Sequence, residues 1–289
     1  MPSPQGHITW RDLVTDATAV LDDANDARWI VERVADLDRA GLLLALDEVV
    51  PTRVIEFCEG LVRRRAAGEP LQLVLGRWQF RRLDLAVDRR ALIPRPETEQ
   101  VVEFALAELA RLEVIDPVCV DLGTGTGCIA LSLATEGEIG EMWAVDVSVE
   151  ALALARSNVA GVGGTAASRV RLVLGDWFGA LPGDLAGRVT LVVANPPYVG
   201  EDERGDLDPS VLDWEPHEAL FAGDDGLADI RRILAEVPRW LAHPAALVLE
   251  LAPRQAEEAV RLAMAAGADH AEIRPDLTGR PRALVARWS

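Results

Sequence analysis

Apolar positions recur at helical spacing from about residue 9 to residue 68. Trp10, Leu13 and Val14 open an amphipathic stretch running towards Leu21. The same spacing returns over 28–35, 40–49 and 52–67, with Pro51 between the last two. The final helix of this group closes on Arg63-Arg64-Arg65 before Gly68, a basic last turn that complements the helix dipole and is expected to be solvated. From Glu69 the pattern changes, and 73–80 and 83–87 predict two short strands with a tight turn at Arg81-Arg82. In the segment Leu92-Ile93-Pro94-Arg95-Pro96-Glu97-Thr98-Glu99 the prolines keep the chain extended. Glu97 or Thr98 then starts a helix over 100–111.

Beyond Val118 strand and helix alternate. Strands are expected over 118–122, 141–145, 170–174, 190–194, 246–251, 271–275 and 283–288, and helices over 127–134, 150–159, 226–240 and 254–266. Such alternation predicts a parallel, doubly wound sheet. The expected fold class is therefore α/β: a Rossmann-like, seven-stranded class I methyltransferase domain, with a small N-terminal helical domain joined to it by a β-hairpin. The corresponding boundaries are 1–76, 77–93 and 94–289.

Composition adds limits rather than detail. With 49% hydrophobic and 26% charged residues the chain has enough apolar material for a real core. Its net charge of −18 opposes loose binding to DNA or RNA, which needs basic surface to neutralise phosphates. The cysteines Cys58, Cys119 and Cys128 are too few and too scattered for a disulfide framework or a zinc site. Residues 1–11 lack the apolar core of a signal peptide, and no stretch is apolar enough to span a bilayer. A cytoplasmic protein without membrane or direct nucleic-acid contacts is expected.

Candidate chemistry gathers at predicted strand ends. After the strand at 118–122 comes Asp121-Leu122-Gly123-Thr124-Gly125-Thr126-Gly127, whose alternate glycines let the backbone turn tightly against a ligand. A dinucleotide fingerprint would place its third glycine one position later, at Cys128. This version, led by an acid, suits S-adenosylmethionine, whose amino-acid part needs backbone and carboxylate partners. Asp146 ends the next strand and can accept both ribose hydroxyl hydrogens, while Ser148 is free to cap the helix that follows. At the third strand end, Asp176 can accept from an adenine amino group and Trp177 can pack on its plane. From these patterns Gly123, Gly125, Gly127, Asp146 and Trp177 are expected at the cofactor. No metal is expected, and none of His7, His217, His243 and His270 sits at a motif.

The fourth strand runs into Asn195-Pro196-Pro197-Tyr198. Two prolines donate no backbone hydrogen bond, so the ladder stops, and Asn195 is pushed out of the helical region. The result is a stiff corner at the C-terminal edge of a sheet, holding one planar amide and the chain's only tyrosine. Such a corner suits an sp² amino group. The Asn195 oxygen and the Pro196 carbonyl can accept its hydrogens while the Tyr198 ring stacks on its plane. Asn195, Pro196 and Tyr198 are thus the expected catalytic residues, and these together with Pro197 the expected substrate contacts. The acidic connection 201–226 is long enough to be a lid or a partner-binding loop, with Trp214-Glu215-Pro216 closing over the pocket.

With these residues in place, the chain resembles the bacterial peptide chain release factor glutamine methyltransferases (the PrmC/HemK family). The resemblance covers nearly the whole length. It is carried by Leu92 to Glu99, Asp121 to Gly127, Asn195 to Tyr198, Trp214-Glu215-Pro216, and Asp276-Leu277-Thr278-Gly279-Arg280-Pro281-Arg282. Asn-Pro-Pro-Tyr alone would also fit amino-methylating DNA methyltransferases; the Ile-Pro-Arg-Pro-Glu-Thr-Glu stretch narrows it. The resemblance implies S-adenosylmethionine as cofactor, held by position at Gly123, Thr124, Gly125, Thr126, Gly127, Asp146, Trp177 and Asn195, and peptide chain release factors as protein substrates, modified on the glutamine of a Gly-Gly-Gln tripeptide. It also implies an N-terminal domain that binds the substrate protein; a monomer is expected. A ribosomal-protein glutamine methyltransferase, a DNA amino-methyltransferase and a non-catalytic cofactor-binding module are the competing readings.

Overall fold

The computed structural model describes residues 7–289; the first six residues, part of the stretch expected to lack a leader's apolar core, lie outside them. The chain divides into two compact units, Met1–Arg77 and Trp78–Ser289.

The first unit is helical: α1 (Trp10–Leu21), α2 (Ala24–Ala35), α3 (Arg39–Ala45), α4 (Thr52–Ala66) and α5 (Leu71–Leu75). Each of the first three starts where a polar side chain can satisfy an orphan N–H. Thr9 and Asp12 form a capping box on α1, while Asp23 and Asp38 cap α2 and α3. Leu13, Ile30, Val31 and Leu61 supply the buried faces. Two sequence expectations fail here. Of the strand expected over 73–80, residues 73–75 belong instead to the helix Leu71–Leu75, because Pro70 opens a turn that Gly76 closes at φ 69, and the strand starts at Arg77. Leu73, Val74 and Leu75 are all buried, so the alternation a half-buried strand needs is missing. The arginine run is not simply solvated either. Arg64 binds Glu69 and the Leu73 carbonyl, and Arg65 binds Asp26 and the Glu69 carbonyl.

The hairpin β1 (Arg77–Phe80) and β2 (Leu83–Ala86) begins at the unit boundary, its first residue closing the first unit and the rest opening the second, and α6 (Pro96–Leu112) follows. Next come β3 (Val118–Leu122), α7 (Cys128–Glu136), β4 (Glu141–Asp146), α8 (Val149–Val162), α9 (Gly164–Arg169), β5 (Val170–Leu174) and β6 (Val189–Ala194). The short α10 (Pro209–Leu212), α11 (Ala228–Glu236), β7 (Leu241–Glu250), α12 (Ala256–Ala265), β8 (His270–Pro275) and β9 (Pro281–Trp288) complete it. The sheet order is β5-β4-β3-β6-β7-β9-β8. The first five strands are parallel, but β9 runs antiparallel to both β7 and β8. The sheet is thus mixed rather than wholly parallel. Only the turn 276–280 joins β8 to β9, too short for the crossover that parallel neighbours require.

Alternate residues of the central strands face opposite layers. Val118, Val120 and Leu122 join one core with Val192, Leu247 and α11 and α12 residues. Cys119, Leu191, Val193 and Val248 join the other with α6 and α7. Phe80, Leu83 and Leu85 of the hairpin belong to this second core. Arg81, at the hairpin turn with φ 50, ties it down through two bonds to Glu136, one to Glu103 and one to the Glu99 carbonyl. The strand order reverses at β3, leaving a crevice beyond the carboxyl ends of the parallel strands.

Candidate functional site

A cavity opens at that crevice, lined by Gly123 to Thr126 after β3, Asp146 after β4, Trp177 after β5, and Asn195 and Pro197 after β6. Residues of the Arg90-to-Thr98 segment close one side, and Pro216, Glu218 and Ala219 another. Three expected site residues do not line it. Gly127, at φ 83, immediately precedes α7, and a Cβ there would make ordinary contact with Leu131 and Ala155; Pro196 and Tyr198 adjoin the lining residues Asn195 and Pro197 in the chain.

The glycine loop is built as a cradle. Gly123 and Gly125 lie at φ 73 and 56, and a Cβ on Gly123 would touch the Trp177 ring at 3.5 Å. Asp146 holds the loop in place: one carboxylate oxygen accepts from Gly125 N at 2.8 Å, the other from Ser148 N at 2.9 Å. Ser148 in turn caps α8 through Ala151 N, so Asp146 retains lone pairs toward the cavity. Burial raises its carboxyl above the ordinary range, against the hydrogen bonds from Ser148 and Gly125. Asp121 is wholly buried. It accepts from Thr124 Oγ1 at 2.6 Å and from Ala130 N, and burial pushes its carboxyl up to about 7.

Trp177 occupies φ 45, a conformation that costs a bulky side chain on the order of 1–2 kcal/mol. Its indole N–H donates to Asp229 at 3.3 Å, which offsets part of that. Asp176 is less available to an adenine amino group than its position suggested, because Arg232 pairs with its carboxylate at 2.8 Å. Glu215 was expected in a covering segment. It is buried next to Pro216, which lines the cavity, and accepts from Ile93 N at 3.1 Å and from Arg95 at 2.5 Å. Trp214 beside it carries the Arg89 guanidinium 3.9 Å above its ring.

The Asn195 corner rests on residues the sequence did not single out for it. The register Ala194↔Leu249 places Glu250, at the end of β7, beside Asn195. Thr98 Oγ1 donates to Glu250 Oε2 at 2.7 Å, and Asn195 Nδ2 donates to Thr98 Oγ1 at 3.2 Å. Tyr198 reaches the other Glu250 oxygen at 3.4 Å. Glu250 has no solvent exposure; burial raises its carboxyl to about 7, opposed by the Thr98 hydrogen bond and the Arg282 charge. Burial and the nearby Glu250 also push the Tyr198 phenol upward, so it stays neutral. Thr98 is not the helix start it was expected to be. Arg95 is the cap residue and Pro96 the first of α6, which leaves the Thr98 side chain facing the corner. Behind it, Gln255 Nε2 donates to the carbonyls of Tyr198 at 2.8 Å and Gly226 at 2.9 Å. The visible signal for Glu250 was an acid ending a run of apolar residues, Ala245 to Leu249. Thr98 carried none.

Residues 12–76 match the family model described as PrmC N-terminal domain, and residues 104–208 the one described as Methyltransferase small domain. The chain is 40% identical over 272 residues to a release factor glutamine methyltransferase of Cereibacter sphaeroides, covering 94% of each chain. It is 41% identical over 283 residues to one of Deinococcus radiodurans, covering 96% of this chain and 98% of that one. Among solved structures, the hMettl16 catalytic domain superposes with a TM-score of 0.56 at 14% identity over 82% of each chain, a likeness of fold.

Proposed function

The chain belongs to the release factor glutamine methyltransferase family, and on that premise we propose that it moves a methyl group from S-adenosylmethionine to the side-chain amide nitrogen of a release-factor glutamine, the one in a Gly-Gly-Gln tripeptide. It does so as a cytoplasmic monomer. Residues 94–289 carry the chemistry, 77–93 form the linking hairpin, and 1–76 contribute to holding the substrate protein.

The cradle fits that cofactor. Gly123 and Gly125 have no Cβ to fill it, and Asp146 keeps lone pairs for ribose hydroxyls. Gly123, Thr124, Gly125, Thr126, Gly127, Asp146, Trp177 and Asn195 would hold it, Gly127 acting from behind by fixing the start of α7. Bound there, S-adenosylmethionine supplies an electrophilic sulfonium methyl group.

What the protein supplies is geometry. An amide nitrogen is a poor nucleophile because its lone pair is delocalised into the carbonyl. Asn195 Oδ1 and the Pro196 carbonyl accept the two amide hydrogens and aim the nitrogen. Holding a near-attack arrangement is worth up to ~7–11 kcal/mol. The same acceptors favour positive character on nitrogen as it reacts, and one of the two hydrogens they hold then leaves as a proton to water, so the product is a neutral N-methyl amide. Pro197 stiffens the corner, and the neutral Tyr198 ring holds the amide plane.

The observation that carries the reading is the Asn195 carboxamide at the cavity wall, its nitrogen engaged by Thr98 and its oxygen left to accept. The test is mass spectrometry of a release factor incubated with the protein and S-adenosylmethionine. One added methyl on the Gly-Gly-Gln glutamine is expected, and none with Asn195→Ala, assayed at a cofactor concentration that saturates the variant by its own measured Kd. An unmodified glutamine with the wild-type protein, or label entering DNA or a ribosomal protein instead, would reject it.

A further inference from the structure

We propose that Glu250 and Thr98 are positioning residues that set the polarity of the Asn195 carboxamide, so that the corner presents an acceptor to the substrate only while Glu250 is ionised. This rests on the reading of Asn195 as the amide acceptor. The two ends of a carboxamide are nearly equal in size and opposite in hydrogen-bonding sense. Shape alone therefore does not choose between them, and the neighbour that meets Asn195 must.

That neighbour is Thr98, whose hydroxyl has one hydrogen. An ionised carboxylate only accepts, so Glu250 Oε2 at 2.7 Å commits the hydrogen and leaves Thr98 lone pairs facing Asn195. Only the Nδ2 end can answer, as it does at 3.2 Å, which turns Oδ1 away from Thr98 and toward the reacting amide. A protonated Glu250 reverses every link. It can donate to Thr98, Thr98 can donate to Asn195 Oδ1, and the Asn195 NH₂ then meets the substrate NH₂, donor against donor.

The groups around Glu250 agree with this assignment. Tyr198 donates to its second oxygen at 3.4 Å, Arg282 on β9 favours the ionised form and Glu97 on α6 opposes it. The buried Cys128 thiol on α7 stays neutral, raised to about 12 by burial and by the charges of Asp121 and Glu250. Arg95 lies beyond Tyr198 and favours negative charge there. Glu250 is thus the carboxyl at this corner whose proton changes hands near pH 7. Transfer rises with pH as that proton leaves.

The experiment compares wild type, Thr98→Val, Thr98→Ser and Glu250→Gln. Single-turnover methylation of a release factor is followed from the acid to the alkaline side of 7, with cofactor Kd measured on the same proteins. The ¹⁵N side-chain amide of Asn195 is followed in the cofactor-bound wild type without substrate. Thr98→Val should lose on the order of a hundredfold in kcat, the scale of a misaligned reacting group, with cofactor Kd unchanged. Thr98→Ser should restore it. Glu250→Gln should be slow, with the acid limb of the wild-type profile gone.

Retention of the acid limb in Glu250→Gln, or full kcat in Thr98→Val, overturns the proposal. So does an Asn195 amide resonance that ignores pH near 7 in the wild type, a readout that survives even if the variants do not fold. A wild-type protein that methylates no release factor while its Asn195 amide still titrates would refute the substrate and uphold the relay.

Discussion

Gly226→Ala tests how the catalytic corner is held from behind. Gly226 sits at φ 69, and a Cβ there would lie 2.2 Å from the Tyr198 carbonyl oxygen and 2.8 Å from Gln255 Nε2. The left-handed backbone costs alanine about 1–2 kcal/mol. Displacing a backbone carbonyl and a buried amide adds about 1–3 kcal/mol, the usual range for overpacking. Alanine's reduced freedom in the unfolded chain returns only about 0.4–1 kcal/mol. The net loss is therefore roughly 1–5 kcal/mol, or a melting point lower by about 2–20 °C for a unit of this size. Because the atom pushed aside is the Tyr198 carbonyl, kcat should also fall, by up to about a hundredfold for a shift near 1 Å. Gly187→Ala is the matched control: its φ is 74, but nothing lies within 4 Å of an added Cβ. It pays the backbone term alone and leaves the corner untouched. Thermal melts by circular dichroism and single-turnover rates on both variants decide the matter. If Gly226→Ala melts with Gly187→Ala and keeps full kcat, the close approach of 226 to 198 does not hold the corner.

Asp146→Ala frees the Gly125 and Ser148 N–H groups together, so calorimetry should show S-adenosylmethionine binding weakened about tenfold or more, the effect of losing one or two charge-assisted bonds; unchanged binding would remove Asp146 from the cofactor site. Arg81→Ala leaves the poorly exposed Glu136 with only the more distant Arg82, at 3.5 Å, and removes the side-chain bonds from the hairpin to α6, so it should cost about 1–3 kcal/mol in urea unfolding. Asp121 and Glu250 have carboxyls raised by burial to about 7 from ordinary values of 3.8 and 4.5. Between those limits the folded protein binds more protons than the unfolded chain. Their contribution to stability is therefore full in acid and lost as pH rises through 7. Urea midpoints of cofactor-free protein should fall between about pH 4 and 7 and level off above that, and Asp121→Asn should flatten the fall; a wild-type midpoint that climbs across this window would contradict the burial argument.

Local chemistry fixed much of this protein. The apolar runs at 118–122 and 190–194 could only be buried strands, the glycines after β3 could only be a close-approach loop, and Pro196-Pro197 had to end β6. These are short-range constraints of sterics and hydrogen-bond supply, legible residue by residue. They put Gly123, Gly125, Asp146, Trp177 and Asn195 at neighbouring strand ends, where one cavity joins them. Chain order could not show that β9 inserts between β7 and β8, since pairing is decided by which edges meet in space. It also could not show that Glu250 lies next to Asn195, a contact set by the β6–β7 register across a long connection. Thr98 looked like a helix cap because its local sequence permits that, and Arg95 and Pro96 took the role instead. The carboxamide at 195 was in the sequence; its direction is a tertiary property, because one hydroxyl hydrogen, claimed by a carboxylate 152 residues away from Thr98, decides which end faces the cavity.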